Sequence, residues 1–274
     1  MTYPSIISQE IIKIEGDNIH KTDDVLAIEE PLEISLSIFS AQPPVFDKNI
    51  SITMRTPGND LDLALGFLFT EGIIVSPKQI DNFNLGENTI NIQLNTSESI
   101  DLSKIERHFY TSSSCGVCGK SSIDAIKTVS RLNAEKKDFK VNEKLIKKLP
   151  AMVRKEQAVF DKTGGLHAAA IFNTKGDLLF LKEDVGRHNA LDKLIGSAFQ
   201  KEELPLDQHI LLLSGRASFE LIQKAAMAGI QFIGAVGAPS SLAVDLAKEF
   251  DITLIGFLNA NRFNVYHGVE RIEI

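Results

Sequence analysis

The sequence has few cysteines, no excess of positive charge and no long apolar run among its 274 residues. The 29 basic and 36 acidic residues give a net charge of −7, so no overall positive field attracts nucleic acid. No apolar run approaches the roughly 18 residues of a membrane helix. Residues 1–16 lack the basic and then apolar pattern of a signal peptide. With only two cysteines, we expect a cytoplasmic protein without a disulfide framework.

The first half of the chain is rich in strand patterns. Apolar and polar residues alternate through residues 9–55, as in an antiparallel sheet, and again through 89–94. A helix is predicted from Leu61 to Leu68, capped by the residues before it and ended by Gly72. A second helix is predicted to begin at Ser121 and Ser122. These patterns predict a smaller, strand-rich N-terminal domain over residues 1–135.

The second half alternates helices and strands and predicts a three-layer α/β domain over residues 136–274. A helix over 141–160, interrupted at Pro150, precedes a hairpin of strands 166–172 and 178–182. The later strands are almost continuously apolar, which favours a mostly parallel sheet covered on both faces. The predicted elements that follow the hairpin are helices 187–199, 218–228 and 240–250 and strands 210–213, 232–236 and 252–257.

The two cysteines, Cys115 and Cys118, stand three residues apart among glycines and hydroxyl residues, with Lys120 close by. Free cysteine usually lies in apolar surroundings, which this segment does not provide. A loop just before the helix at Ser121 would favour the thiolate through the helix dipole and Lys120. An accessible thiolate can take a sulfur atom, hold it as a persulfide and pass it on. We therefore interpret the pair as sulfur chemistry.

Three other interpretations of the pair stay open. A zinc site needs two further ligands, and the sequence has no second C-x-x-C and no H-x-x-x-H, so His167 and His188 could join only through the tertiary fold. A thioredoxin-like dithiol usually follows a strand of a βαβ unit, whereas antiparallel patterns precede this pair. The cysteines could also be incidental residues of a mobile loop.

Glycine-rich and basic segments follow several predicted strands of the second half. Such loops let the backbone approach a ligand, and helix N-termini at strand ends bind anions. Each segment alone could be ordinary turn chemistry, but together they favour an anionic, nucleotide-like ligand. After the last strand, residues 256–266 combine asparagines, phenylalanines and Arg262, a composition suited to guanine or pterin. The candidate residues of the three earlier segments are Gly165, His167, Arg187, His188, Ser214 and Arg216.

At this point the chain resembles the FdhD/NarQ family, the accessory sulfurtransferases of formate dehydrogenase. The resemblance spans nearly the whole sequence, and its many motifs occur in order. They are Arg55–Gly58, Ala64–Gly72, Cys115–Gly119, Gly164–His167, Glu183–Ala190, Ser214–Arg216 and Arg262–Tyr266.

The resemblance implies a sulfur carrier that takes persulfide sulfur from a cysteine desulfurase. The acceptor is the molybdenum cofactor, Mo-bis(molybdopterin guanine dinucleotide), destined for formate dehydrogenase apoenzyme, and GDP or GMP would mimic its nucleotide part. Cys115 would bear the persulfide, with Cys118 as an assisting thiol, and no metal site of its own is expected. A homodimer is also implied. The implied cofactor-binding segment is Phe257, Leu258, Asn259, Ala260, Asn261 and Arg262, with asparagines where many relatives carry arginine and glycine.

The family fold implies that the second domain is cytidine-deaminase-like, with a mixed, mostly parallel sheet. Deaminase chemistry does not follow, because no histidine begins an H-x-E motif and Ser114 replaces the proline before the first cysteine. The alternative function is a non-catalytic chaperone that binds the cofactor and delivers it without carrying sulfur.

Overall fold

The computed structural model describes residues 4–38, 46–95 and 139–274. Within these ranges the chain is a mixed α/β protein with several sheets and six α-helices. Cys115, Cys118, the predicted helix at Ser121 and the predicted domain boundary after residue 135 lie outside them. No helix in the described part of the chain is long and apolar enough to span a membrane.

The N-terminal part forms a separate hairpin and a four-stranded sheet. The hairpin strands pair antiparallel, and the sheet has the strand order β4-β3-β6-β5. The predicted antiparallel pairing is confirmed for β3 with β4, whereas β3 and β6 pair in parallel, which the alternation did not predict. The elements are β1 (Ile6–Glu15), β2 (Asn18–Ala27), β3 (Glu30–Ile38), β4 (Phe46–Arg55), α1 (Asp60–Thr70), β5 (Ile80–Leu85) and β6 (Thr89–Leu94).

The C-terminal part contains a six-stranded mixed sheet with the order β13-β12-β11-β10-β8-β9. Strands β10, β11 and β12 are parallel, and the predicted hairpin β8–β9 is confirmed. Strand β13 was missed, since strand 252–257 was predicted to be the last. The elements are β7 (Val141–Asn142), α2 (Glu143–Glu156), α3 (Ala158–Thr163), β8 (His167–Asn173), β9 (Leu178–Asp184), α4 (Arg187–Gln200), β10 (His209–Leu213), α5 (Phe219–Met227), β11 (Phe232–Ala235), α6 (Ser241–Glu249), β12 (Thr253–Gly256), β13 (Asn264–His267) and β14 (Ile272–Glu273).

Helices cover both faces of the six-stranded sheet. Because strand side chains alternate between faces, Ala170 and Phe172 of β8 belong to the core formed with α2, including Ile146. Ala169 and Ile171 belong to the larger core on the other face, which contains the apolar residues of α4, α5 and α6. These layers agree with the predicted three-layer order. The finer likeness to cytidine deaminase stays a prediction.

The predicted interruption of the helix at Pro150 is wrong. Helix α2 continues through Pro150 and ends at Glu156, and α3 begins at Ala158. The break coincides with the Glu183 carboxylate, which accepts hydrogen bonds from the backbone N–H groups of Val159 at 3.3 Å and Phe160 at 3.1 Å. An acceptor at a new helix N-terminus therefore determines the break.

Helices α1 and α4 cross with their backbones in close contact at two glycines. A Cβ atom on Gly66 would overlap the carbonyl oxygen of Asp192, and one on Gly196 would overlap that of Asp62. The larger core accordingly runs from the four-stranded sheet through both helices to the six-stranded sheet. Since Arg187 and His188 begin α4, this crossing also fixes the position of two candidate site residues.

Candidate functional site

The candidate loops of the second half meet at one edge of the six-stranded sheet. Strands β10, β11 and β12 run parallel, so the segments after Leu213, Ala235 and Gly256 emerge at the same edge. Strand β8 is antiparallel to β10, and therefore its first residue, His167, lies at that edge together with the end of β9 at Asp184. The topology thus gathers segments that are distant in sequence, as is usual for ligand sites of α/β sheets.

Ser214 and Gly215 join the β10 loop to the start of β8. The Ser214 hydroxyl accepts a hydrogen bond from Ala168 N–H at 2.7 Å, and Ser214 N–H donates to the Ala168 carbonyl at 3.0 Å. A Cβ atom on Gly215 would lie 3.2 Å from Nδ1 of His167, so glycine leaves room for the imidazole. Ser214 therefore fastens the loop to the sheet, and His167 packs directly against the turn.

His167 lies among cationic side chains. Burial, followed by the fields of Arg187, His188 and Arg216, lowers the pKa of His167, and the Asp184 carboxylate opposes this shift. The imidazole is consequently neutral at neutral pH, and the guanidinium groups carry the positive charge of the edge. We call His167, Arg187, His188 and Arg216 the cationic cluster. Nearby positive groups of this kind attract an anion.

Arg187 and Arg216 differ in how far they are buried. Arg187 is partly buried, and its Nε is enclosed without a hydrogen-bond partner in the described ranges. A buried N–H group without an acceptor is unfavourable, so an acceptor supplied by a ligand would stabilise it. Arg216 is exposed at the turn after β10. Both arginines lie near His167, and guanidinium groups bind phosphate oxygens well.

His188 is anchored to the beginning of α5. Its Nε2 lies 2.9 Å from a carboxylate oxygen of Glu220 and 3.2 Å from the Ser218 hydroxyl. The hydrogen bond with His188 lowers the pKa of Glu220, with burial acting in the opposite direction. These contacts join the first turns of α4 and α5 next to the cationic cluster. His188 is therefore a positioned side chain with an ionised carboxylate beside it.

The segment after β12 is an ordered turn with exposed polar side chains. Phe257 has a left-handed backbone with φ of 53°, is 43% exposed, and donates its N–H to the Gly237 carbonyl at 3.1 Å. The Asn259 side chain accepts the N–H groups of Asn261 at 3.0 Å and Arg262 at 3.1 Å. Asn259 thus orders the turn that presents Arg262, which gives this asparagine a structural role.

Two residues of the predicted cofactor-binding set have little side-chain access. Leu258 is 1% exposed and belongs to the core, so its side chain serves packing and only its backbone could meet a ligand. Gly165 is exposed but has no side chain, so only its backbone could meet a ligand. Ala260, Asn261 and Arg262 are exposed around the same turn.

A buried ionic group beneath the cationic cluster was missed in the sequence. Asp184 is fully buried, and its carboxylate lies 2.7 Å from Nζ of Lys193, which is 2% exposed. Asp184 also accepts N–H groups of Thr56 at 3.1 Å and Gly186 at 2.8 Å. Lys193 donates to the Thr56 carbonyl at 2.8 Å. Burial lowers the pKa of Lys193, against the field of Asp184. The signals in the sequence were Thr56 and Asp184, which fall in the Arg55–Gly58 and Glu183–Ala190 motifs.

This ionic group holds the Arg55–Gly58 motif in place. The Thr56 N–H bonds to Asp184 and the Thr56 carbonyl bonds to Lys193, so the loop that begins at Thr56 is fixed next to the turn after β9. Beside the group lies a cavity of about 520 Å³, lined among others by Gly58, Leu166, Glu183 and Lys193. Lys193 and Lys182 at this cavity pair with Asp184 and Asp62, and Glu183 accepts the N–H groups at the start of α3. We therefore place the candidate ligand site at the cationic cluster.

The sulfur chemistry predicted for Cys115 and Cys118, and the alternative zinc site, concern residues outside the described part, so the sulfur chemistry stays a prediction and the zinc alternative stays open. Within residues 4–38, 46–95 and 139–274, no group of three or more His, Cys, Asp or Glu side chains is arranged to hold a metal ion.

The sequence and the fold were each compared with those of known proteins. A model of the FdhD/NarQ family matches residues 27–273. The chain is 46% identical over 277 residues to the sulfur carrier protein FdhD of Streptomyces coelicolor, which covers 97% of this chain and 95% of that protein. It is 41% identical over 266 residues to the sulfur carrier protein FdhD of Sulfolobus acidocaldarius, covering 97% and 98%. A solved structure from Desulfotalea psychrophila, assigned as a formate dehydrogenase accessory protein, has a TM-score of 0.74 at 24% identity over 98% of this chain and 100% of that chain, which supports the fold.

Proposed function

Because the chain belongs to the FdhD/NarQ family, we propose that it is a cytoplasmic sulfurtransferase that carries sulfur on Cys115 as a persulfide. The donor is a cysteine desulfurase, and the acceptor is Mo-bis(molybdopterin guanine dinucleotide), which serves formate dehydrogenase. The relatives named sulfur carrier protein FdhD support the carrier role. The molybdenum cofactor is the substrate of this protein, held while sulfur is transferred.

The cationic cluster is the observation that carries the cofactor part of the proposal. A guanine dinucleotide has a pyrophosphate, and Arg187 and Arg216 supply guanidinium groups beside the neutral His167. The enclosed Arg187 Nε would gain an acceptor from a phosphate oxygen. Phe257 and Arg262 extend the same sheet edge with an aromatic face and a further cation, which suit a purine base.

The proposed sulfur transfer has two steps that conserve atoms and electrons. The Cys115 thiolate attacks the terminal sulfur of the desulfurase persulfide, so a new S–S bond forms on Cys115 and the desulfurase cysteine leaves as a thiolate. The Cys118 thiolate then attacks Sγ of Cys115. A Cys115–Cys118 disulfide forms, the carried sulfur leaves as hydrosulfide to the metal of the cofactor, and a cellular dithiol reductant restores the two thiols.

Mass spectrometry of the intact protein tests the carrier step. Incubation with a cysteine desulfurase and cysteine should add one sulfur atom, removable by reductant and located on Cys115 by peptide mapping. Cys115→Ala should abolish the gain, whereas Cys118→Ala should still be loaded and should fail at release. Normal loading of Cys115→Ala, with a control acceptor showing that the desulfurase is active, would contradict the assignment.

Nucleotide binding tests the cofactor site separately from sulfur. GDP should bind the protein in calorimetry, and Arg216→Gln should weaken binding by about tenfold because one charge-assisted contact is lost. Arg154→Gln is the matched control, since Arg154 is a partly exposed arginine of α2 that pairs with Asp161. Equal affinity of wild type and Arg216→Gln would place the nucleotide elsewhere.

A cofactor chaperone is the second candidate, because the cationic cluster contains no cysteine and could bind the cofactor without sulfur chemistry. In that case a Cys115→Ala/Cys118→Ala variant would bind GDP normally and would still activate formate dehydrogenase. The sulfur carrier predicts normal GDP binding by the same variant with inactive formate dehydrogenase.

A further inference from the structure

Glu220 places a carboxylate on one side chain of the cationic cluster. A carboxylate only accepts hydrogen bonds, so the Glu220 oxygen at 2.9 Å from Nε2 of His188 accepts the single hydrogen of that nitrogen. Arg187 and Arg216 form no ion pair with any residue of the described ranges. Glu220 is therefore the anion that the protein itself brings into contact with this cluster.

The Glu220 carboxylate is charged and accessible to solvent. The hydrogen bond with His188 is the main cause that lowers the pKa of Glu220, and the field of Arg187 acts in the same direction. The side chain of Glu220 is 39% exposed, so it can leave His188 without unpacking the core. The groups that hold this carboxylate are thus the kind that would hold a phosphate oxygen.

A second position for the carboxylate exists at the start of α5. Glu220 is the second residue of that helix, where the N-terminal end of the helix dipole favours a negative charge. Lys224 follows one turn later, and its field also lowers the pKa of Glu220. Release of Glu220 from His188 therefore costs little, because the helix end and Lys224 continue to stabilise the negative charge.

We propose that Glu220 is a resident competitor of the ligand, which occupies His188 in the ligand-free protein and is displaced by a bound pyrophosphate. This inference rests on the proposed function, because it concerns the same site. Displacement exchanges one acceptor for another at Nε2 of His188 and changes no covalent bond. The phosphate oxygens gain this N–H together with Arg187 and Arg216, while the carboxylate turns to solvent and to the start of α5.

A resident competitor favours release of the ligand as well as binding. Part of the binding free energy offsets the loss of the contact between Glu220 and His188, so the affinity is lower than the cluster alone would give. Return of the carboxylate to His188 then assists departure of the ligand, which suits a carrier. A residue that merely positions His188 has the opposite effect, since its loss would weaken binding. The direction of the change therefore separates the two roles.

Calorimetry of the full-length protein with inorganic pyrophosphate tests the proposal. Glu220→Gln should bind pyrophosphate about threefold to fivefold more tightly than wild type, the size expected of a partly exposed ionic contact. Glu220→Asp keeps the charge on α5 but is one methylene shorter, which breaks the contact with His188, so it should also bind more tightly. Asp245→Asn is the matched control, since Asp245 is an exposed residue of the neighbouring α6 that forms no ion pair with a described residue. It should change the affinity by about twofold or less, because exposed charges are screened.

A double-mutant cycle tests the contact itself. In a His188→Asn background, Glu220→Gln should change the affinity for pyrophosphate no more than Asp245→Asn does, because the contested hydrogen bond is gone. If Glu220→Gln does not fold, Glu220→Asp decides by the same signs.

GDP measured in parallel separates this proposal from the proposed function. Tighter pyrophosphate binding by Glu220→Gln without any binding of GDP would support the competitor and contradict the nucleotide site. Unchanged or weaker pyrophosphate binding by the Glu220 variants, an equal gain in the His188→Asn background, or no pyrophosphate binding by any of these proteins would each overturn the proposal.

Discussion

Replacing Gly196 with alanine should destabilise the protein, although the same change usually stabilises a helix. A Cβ atom built on Gly196 would lie 2.7 Å from Gly66 N and 2.8 Å from the carbonyl carbon of Asp62. Ordinary contacts between such atoms are about 3.5–4.0 Å, so α1 and α4 would have to separate by about 1 Å. Both obstacles are backbone atoms and cannot turn aside as a side chain would.

The expected magnitude follows from two opposing effects. Alanine in place of glycine would favour the helix by about 1 kcal/mol, whereas overpacking of a close core contact costs about 1–3 kcal/mol and sometimes more. Because separation of α1 from α4 also loosens the continuous core, we expect a net loss of about 2 kcal/mol. For a chain of this size that corresponds to a melting temperature lower by about 4–8 °C.

Thermal unfolding followed by circular dichroism measures this change. Ser197→Ala is the matched control, since it changes the neighbouring residue of α4 and should move the melting temperature by much less. An unchanged or higher melting temperature for Gly196→Ala would refute the reasoning, because it would show that the two helices do not touch through these glycines. GDP binding should weaken together with stability, since α4 carries Arg187 and His188.

Three further predictions concern the site and the ionic group beneath it. Lys193→Met leaves the Asp184 carboxylate buried without its cation and should cost about 3–5 kcal/mol in denaturant unfolding, with Lys193→Met/Asp184→Asn recovering part of the loss. His167 should titrate below 6.5 in proton NMR, because its pKa is lowered in the folded state. Its contribution to stability is therefore intact above pH 6.5 and is lost as the pH falls from 6.5 towards the folded pKa, and His167→Gln should remove this part of the acid dependence. Asn259→Ala should weaken GDP binding several-fold with little change in melting temperature, because it releases the exposed turn that presents Arg262; equal affinity would contradict a binding role for that turn.

The alternation of the second half was predictable because the hydrophobic pattern is strong there. Apolar runs such as Ile210–Leu213 and Phe232–Val236, separated by helical periods, specify buried parallel strands. The gathering of His167, Arg187 and Arg216 at one sheet edge followed from topology, since loops after parallel strands emerge together. The sequence therefore predicted which segments meet in the candidate site.

The remaining features depend on contacts that a local pattern does not contain. Parallel pairing of β3 with β6 joins strands that are distant in the sequence, whereas alternation only marks a strand. The end of α2 depends on Glu183, a carboxylate from a distant strand. Buried ion pairs, such as that between Arg55 and Asp60 at 3.0 Å, are also not predicted by a local pattern. Charged residues are usually exposed, so their burial is not expected from the sequence.

The fixed turn after β9 has a consequence for the thermodynamics of ligand binding. Asp184 holds Gly186 N–H and the Thr56 loop, so the backbone that carries Arg187 and His188 is already in place before a ligand arrives. A nucleotide would not have to order this turn on binding, and the conformational entropy cost of association would be small. In the proposed function, preorganisation of this kind would let the carrier bind a large cofactor through a few phosphate contacts and release it without refolding the turn.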